Sequence, residues 1–347
     1  MQGVGVTSVM VAVQFAEVGV NTMIKSANTN GMSNFVYVVY SNFLALCILV
    51  PSSLLYHRKK AAPPLTVSIV CRMFLVGFFA SSAQTLMYTG IGYSSPTLSC
   101  SQVDLIPAFT FLIAVVSRME NLNPKLKGSQ AKMVGTVVSI TGALIVTLYK
   151  GLPLTGAYQL HETLRSPKSN WLLGGLLLAV ASLGNSFVLV IQTWIIKEYP
   201  TELVVTTISC GFAVIVSTII AVIAEKNPKA WSLHLDMELL AIIFCAIFVV
   251  SIRSVVQTWA CRKKGPLYVA MFNPLGMVIA VGMGFIFLGD ALYLGSIIGA
   301  GVIAVGFYAV LWGKAQEEKM LDEKNGMGSL HSSSSSTPLL QNKNIDV

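Results

Sequence analysis

Ten separate stretches of this chain are apolar and long enough to cross a bilayer, and no other feature narrows its fold as far. A hydrocarbon core about 30 Å thick needs about 20 residues at 1.5 Å per residue. Scanning on that length predicts spans at 4–24, 35–56, 67–90, 97–117, 133–149, 171–192, 203–224, 239–260, 267–288 and 292–312. Backbone polar groups in lipid must be satisfied within the protein, so these spans are read as helices. Composition points the same way: 54% of the 347 residues are hydrophobic and 11% charged, against about 25% charged in soluble domains. The expected fold class is an all-α membrane protein with ten transmembrane helices.

The formal charge of +8 sits on short loops, the usual mark of cytoplasmic loops, and nucleic acid is not an expected partner. Counted on alternate sides, Lys and Arg number eleven on one side, in 58–60, 118–132, 197 and 262–264, against six on the other. The first side is therefore expected in the cytosol, and both termini with it. No basic region precedes the first apolar stretch, which itself carries Gln14 and Glu17. It reads as the first span rather than a signal peptide.

The six cysteines lie in or beside apolar stretches without a C-x-x-C pair, so neither a disulfide framework nor a metal site is expected. All four histidines fall outside the spans, and no N-x-S/T sequon occurs. The P-loop pattern is absent, since "GFYAVLWGK" has Tyr308 where the first glycine should stand. With no H-E-x-x-H and no G-x-S-x-G either, the chain is expected to have no catalytic residues and no cofactor.

Spans one to five and six to ten read as two copies of one unit. "IPAF" surrounds Pro107 in the fourth span and "NPLG" surrounds Pro274 in the ninth. Gly135 and Gly142 follow in the fifth span, and Gly299 and Gly306 in the tenth, each pair seven apart. "LYKG" closes one half and "LWGK" the other. A duplicated unit with an odd number of spans must insert with opposite orientation in its two halves. The expected architecture is two inverted five-helix repeats, 1–151 and 171–314, joined by an extracytoplasmic linker at 152–170. Carriers of that kind bind near the midplane, between the repeats.

Polar residues recur at three- and four-residue spacing, which places them on single helix faces. The first span carries Gln14, Glu17, Asn21 and Lys25; the third Ser81, Gln84, Thr85 and Tyr88; the fourth Thr97, Ser101 and Asp104. The sixth carries Ser182, Asn185, Ser186 and Thr193, and the eighth Ser251, Arg253, Ser254, Gln257 and Thr258. Such faces are costly against lipid and tolerable around one shared wet cavity. The tenth span is nearly all apolar, its Gly295 and Gly299 suited to close helix packing, and both it and the fifth are placed at the periphery. Pro107 and Pro274 each remove a backbone donor in mid-span and predict helix kinks.

The candidate substrate-binding set is thus Gln14, Glu17, Asn21, Gln84, Tyr88, Asp104, Asn185, Arg253, Gln257 and Asn273, the last beside Pro274. Glu17, Asp104 and Arg253 are ionisable within spans. A buried pair that only fixes packing is one reading; a substrate or proton path is the other, and the default for such residues.

Several long motifs resemble a known family. They are "NGMSNFVYVVYSN" (30–42), "YSSPTLSCSQVDLIPAFTF" (93–111), "SRME" (117–120), "GTVVSITGALIVTLYKG" (135–151), "KEYPTEL" (197–203), "KKGPLYVAMFNPL" (263–275) and "FLGDALYLGSIIGAGVIAVGFYAVLWGK" (287–314). Residues 1–314 are similar to the plant nodulin-type, or UMAMIT, transporters of the EamA branch of the drug/metabolite transporter superfamily. The resemblance implies ten helices in an inverted repeat, with a central cavity lined by helices one to four and six to nine. It implies small organic substrates, amino acids most often and auxin or other metabolites as well, moved by facilitative export, exchange or proton coupling. The family usually has Asn where Asp104 stands, and often Arg where Ser41 stands. The pocket charge of this chain therefore departs from the family pattern.

Three functions compete. The first is a carrier of amino acids or similar zwitterions. The second is a carrier of auxin-like organic acids, nucleobases or other metabolites. The third is a receptor or scaffold, which would have no need of a continuous polar cavity. The expected partners are the lipid bilayer and a small-molecule substrate, with protons and a homodimer left open. The plasma membrane is the expected location, and the vacuolar membrane the alternative. The serine-rich end, 315–347 with "SLHSSSSSTPLL", is expected to be a disordered cytoplasmic tail.

Overall fold

The computed structural model describes residues 2–28, 33–57, 65–93, 96–119, 126–149, 171–231, 237–283 and 294–334. These residues are helical wherever they are regular, with no strand among them. Helix α1 is Gln2–Asn28, α2 Asn34–His57, α3 Val67–Tyr93, α4 Pro96–Val116 and α5 Lys127–Leu148. The expected linker, 152–170, lies outside the described residues. Beyond it come α6, Trp171–Glu198, and α7, Glu202–Ala224. A 3-10 turn at Pro228–Trp231 leads to a long helix made of α8, Met237–Phe244, a π-helical stretch at Cys245–Ile252, and α9, Arg253–Lys264. Then follow α10, Pro266–Ala270, α11, Phe272–Met283, and α12, Leu294–Ser334.

Among the described residues six helices are long and apolar enough to cross a membrane: Asn34–Tyr56, Val67–Met87, Leu173–Glu198, Glu202–Ala224, Leu239–Lys264 and Ile297–Glu317. Gly5–Val20 and Leu105–Val116 are shorter apolar helices. As helices, α1 and α4 run to 27 and 21 residues in full. The ninth span, expected as one helix over 267–288, is broken at Met271 between α10 and α11. Pro274 cannot donate to the carbonyl of Ala270, so the ladder parts there. Gly265, with φ 88°, makes the turn between α9 and α10, a conformation glycine adopts without strain. Phe43, Leu54, Val137, Ile223 and Tyr308 stand exposed, apolar surface that suits lipid as solvent.

The helices pack in a pattern with its own symmetry. The α1 helix lies against α8, α9 and α11, while α6 lies against α3 and α4. The α2 helix packs on α7 and on the π stretch, and α3 packs on α7. The α4 helix meets α5 as α11 meets α12, and the closest-packed pair of all is α5 with α12. Glycines permit that closeness. A Cβ on Gly135 would stand 2.7 Å from the carbonyl oxygen of Gly306, and one on Gly306 2.7 Å from that of Gly135. Gly128 faces Gly313 and Gly142 faces Gly299 in the same way. The heptad spacing thus runs a line of backbone-to-backbone contact down an antiparallel pair.

The expected tail, 315–347, begins inside helix α12. Helix α12 continues to Ser334, so 315–334 is helical, and 335–347 lies outside the described residues. "AQEEKMLDEK" is rich in helix formers. Lys314 and Glu317, three apart, pair at 3.5 Å, and the ammonium of Lys132 on α5 meets the same carboxylate at 2.8 Å.

Candidate functional site

One face of α1 is tied at three levels to the second half of the chain. The Thr7 hydroxyl lies 2.8 Å from the Tyr268 hydroxyl on α10. Two turns further in, the Gln14 amide donates to the carbonyl of Phe272 at 3.0 Å. That carbonyl opens α11 beside the break, and Gly276 leaves room for the amide: a Cβ there would stand 3.2 Å from Gln14 Oε1. Gln14 is buried, and it ties α1 to the first carbonyl of α11, two residues past the carbonyl that Pro274 deprives.

At the third level the Glu17 carboxylate meets Arg253, with Oε2 2.9 Å from Nε. The pair is half-buried, the side chains 18% and 33% exposed. Both charges stand inside helices, Arg253 near the middle of the continuous run Met237–Lys264. A pair in such a place is weakly screened, yet each ion loses much hydration, so the attraction gives little net stability. Arginine has five donors. Only Nε is engaged here, and its Nη groups have no further partner among the described residues.

The first half has a counterpart to the Gln14 contact. Ser186 on α6 donates to the carbonyl of Ile106, immediately before Pro107, at 3.1 Å, and shares its proton with the Ser182 carbonyl at 2.9 Å. Each mid-span proline is thus met by a polar side chain from a helix of the other half.

The predicted residues do not all converge. Gln84 is held at 3.5 Å by the amide of the buried Asn42 on α2. Asn185, Gln257 and Asn273 are half-buried on α6, α9 and α11. Asn21 and Tyr88 belong to α1 and α3 and Asp104 to α4, but their side chains lie outside the described ones. Pro107 and Pro274 are both buried. Thr7, Asn42, Gln192 and Tyr268 were not singled out in the sequence. Gln192 on α6 bonds the Thr258 hydroxyl on α9, which also lies 3.2 Å from that of Thr206 on α7, in a dry polar knot. A polar residue at helical spacing was the available signal for Gln192.

A cavity of about 570 Å³ runs along Thr7, Ser8, Val11, Ala12 and Phe15, on the face of α1 turned away from Glu17. It is therefore not the space in front of the ion pair. A smaller one, about 200 Å³, lies between Tyr56, Glu202, Leu203, Val255, Val256 and Trp259, and begins on the turn that follows Arg253. Among the described residues no cluster of His, Cys, Asp and Glu could hold a metal ion.

Comparison with known proteins places the chain among relatives. Residues 172–312 match the EamA-like transporter family. The WAT1-related protein At5g40210 of Arabidopsis thaliana is 43% identical over 339 residues, 97% of this chain and 96% of that protein. The WAT1-related protein At3g28050 of the same plant is 44% identical over 91% of this chain and 87% of its own length. One solved crystal structure superposes with a TM-score of 0.67 at 13% identity, over 90% of this chain and 99% of that one. At that identity the likeness concerns the fold alone.

Proposed function

The chain belongs to the WAT1-related plant proteins and the EamA-like transporter family, within the drug/metabolite transporter superfamily, and on that premise we propose that it carries amino acids or similar small zwitterions by alternating access. It is an integral, multi-pass membrane transporter and not an enzyme. The proposed carrier has ten transmembrane helices in two inverted repeats, 1–151 and 171–314, with 152–170 outside the cytosol and 315–347 within it. What supports the repeat is the packing. Exchanging each helix of one half for its counterpart in the other reproduces most of the main neighbours, with α2–α7 and α5–α12 mapping onto themselves, while the contacts of α6 with α9 and α10 have no counterpart on α1.

The observation that carries the substrate reading is the Glu17–Arg253 pair. It brings one carboxylate and one guanidinium together from opposite halves, partly accessible, with the planar fork of Arg253 still unused. An amino acid carries the complementary ammonium and carboxylate. Entering, it would exchange one ion pair for two, and the fork can take a carboxylate through both Nη groups. Asn21, Gln84, Tyr88, Asp104, Asn185, Gln257 and Asn273 are the further substrate contacts proposed from the sequence. The free fork also favours a second reading, a carrier of organic acids such as auxin-like compounds. In that case Glu17 only neutralises Arg253 between cycles.

Purified protein in liposomes preloaded with unlabelled solute separates the two. Counterflow of labelled alanine, with little response to indole-type acids or nucleobases, supports the amino-acid reading. Counterflow driven by organic acids alone would replace it with the second. The plasma membrane is the proposed location, with the vacuolar membrane as alternative, which fluorescent tagging in plant cells distinguishes.

A further inference from the structure

Arg253 faces Glu17 because of the turn that precedes it. Within the π-helical stretch Cys245–Ile252, hydrogen bonds reach one residue further back than in an α-helix, and the N–H of Arg253 bonds the carbonyl of Phe248. One extra residue in the ladder rotates everything beyond it by one step, about 100° at 3.6 residues per turn. If the extra residue moved past Arg253, the guanidinium would leave the side of the helix that meets α1.

Ser251 is built for this register. Thr85, Ser186, Thr193, Thr206 and Thr258 each return their hydroxyl to the carbonyl four residues back. Ser251 reaches five back, to the carbonyl of Ala246, at 2.7 Å. It is 4% exposed, so water does not compete for the hydroxyl. The aromatic rings of Phe244 and Phe248 stack at 5.8 Å across the start of the same stretch.

We propose that Ser251 is a positioning residue of the transport site: its hydroxyl, on the Ala246 carbonyl, holds the π register that aims Arg253 at Glu17. The transport consequence rests on the reading of that ion pair as the substrate site; the register rests on geometry alone. π turns are rare and concentrate at functional sites. Such a turn can also slide along a helix without loss of hydrogen bonds, which makes the aim of Arg253 switchable.

Disulfide formation tests the register without any substrate. In full-length protein with its native cysteines replaced by serine, Glu17→Cys is combined in turn with Ile252→Cys, Arg253→Cys and Ser254→Cys, and oxidation rates are compared in liposomes. The expected maximum is at position 253. Adding Ser251→Ala moves that maximum by one position, and Ser251→Thr returns it. Deleting Val249 removes the extra residue, so the maximum stays at 253 and Ser251→Ala no longer shifts it. An unmoved maximum in Ser251→Ala, or an equal shift in the Val249-deleted chain, overturns the proposal. Labelled alanine exchange is read in parallel on the chain with native cysteines. Ser251→Ala is expected to slow it in the Glu17 protein and to add nothing to Glu17→Gln. A register shift that leaves exchange untouched would refute the ion pair as the transport site while the register stands.

Discussion

The ammonium of Lys132 lies 2.8 Å from the Glu317 carboxylate, with the lysine side chain 1% exposed. A lysine buried to that degree depends on its counter-ion. The pair joins α5 to α12 beside the facing glycines Gly128 and Gly313, with Lys132 one turn inside Gly128 and Glu317 one turn beyond Gly313.

Removing the partner should therefore be costly. Glu317→Ala is expected to lower stability by about 1.5–3 kcal/mol, the worth of a hydrogen bond to a charged group, the carboxylate being 28% exposed and Lys132 having a further interaction. Lys314→Ala, whose ammonium stands further off at 3.5 Å from the same carboxylate, should cost less than Glu317→Ala. Truncation after Lys319 keeps Glu317 and should leave intrinsic transport intact; truncation after Lys314 should not. Thermal unfolding in detergent and transport in liposomes give both readings.

The glycine seam gives a steric prediction with its own control. Gly135→Ala and Gly306→Ala each place a methyl 2.7 Å from a facing carbonyl oxygen, an overpacking worth about 1–3 kcal/mol. Gly301→Ala, on α12 with nothing within 4 Å of the new methyl, should be neutral or stabilising by up to about 1 kcal/mol. Equal melting temperatures for Gly135→Ala and Gly301→Ala would contradict the close pairing of α5 with α12.

Orientation is open to chemical labelling. Single cysteines at Lys59, Lys127 and Lys263 should resist membrane-impermeant thiol reagents in intact cells, and one at Ser166 should react. External labelling at Lys263 would invert the topology argued from charge.

Asp104 is expected to couple transport to protons. A carboxyl within a span that gains and loses a proton between the two faces of the membrane can drive uphill movement. Asp104→Asn should fold and still exchange alanine, yet lose accumulation driven by a pH gradient. Undiminished accumulation in Asp104→Asn would show that the aspartate is merely tolerated.

The sequence marked much of this and could not assemble it. The seven-residue spacing of Gly135 with Gly142 and of Gly299 with Gly306 marked an internal repeat, and Gly295 with Gly299 a face for close packing. Neither announced that the glycines of α5 and α12 face each other, which is a matter of tertiary packing. Glu17 and Arg253 were both conspicuous as charges in apolar segments, but pairing across the length of the chain leaves no local trace. The π turn is illegible for a different reason: "CAIFVVSI" is apolar throughout except for one serine, and a single extra residue in a ladder changes no residue type. In the tail, the serine-rich composition outweighed a helix-forming stretch around Glu317 that propensity alone would have extended.

The most direct measurement is alanine exchange in liposomes by variants of the ion pair. Glu17→Gln and Arg253→Gln are each expected to slow exchange about tenfold or more, since a hydrogen bond to a charged group is worth about 1.5–3 kcal/mol. The exchanged pair Glu17→Arg with Arg253→Glu should recover part of that loss, with both single variants folded as judged by melting. Exchange at the wild-type rate in Glu17→Gln, in protein that is folded and inserted, would contradict the account.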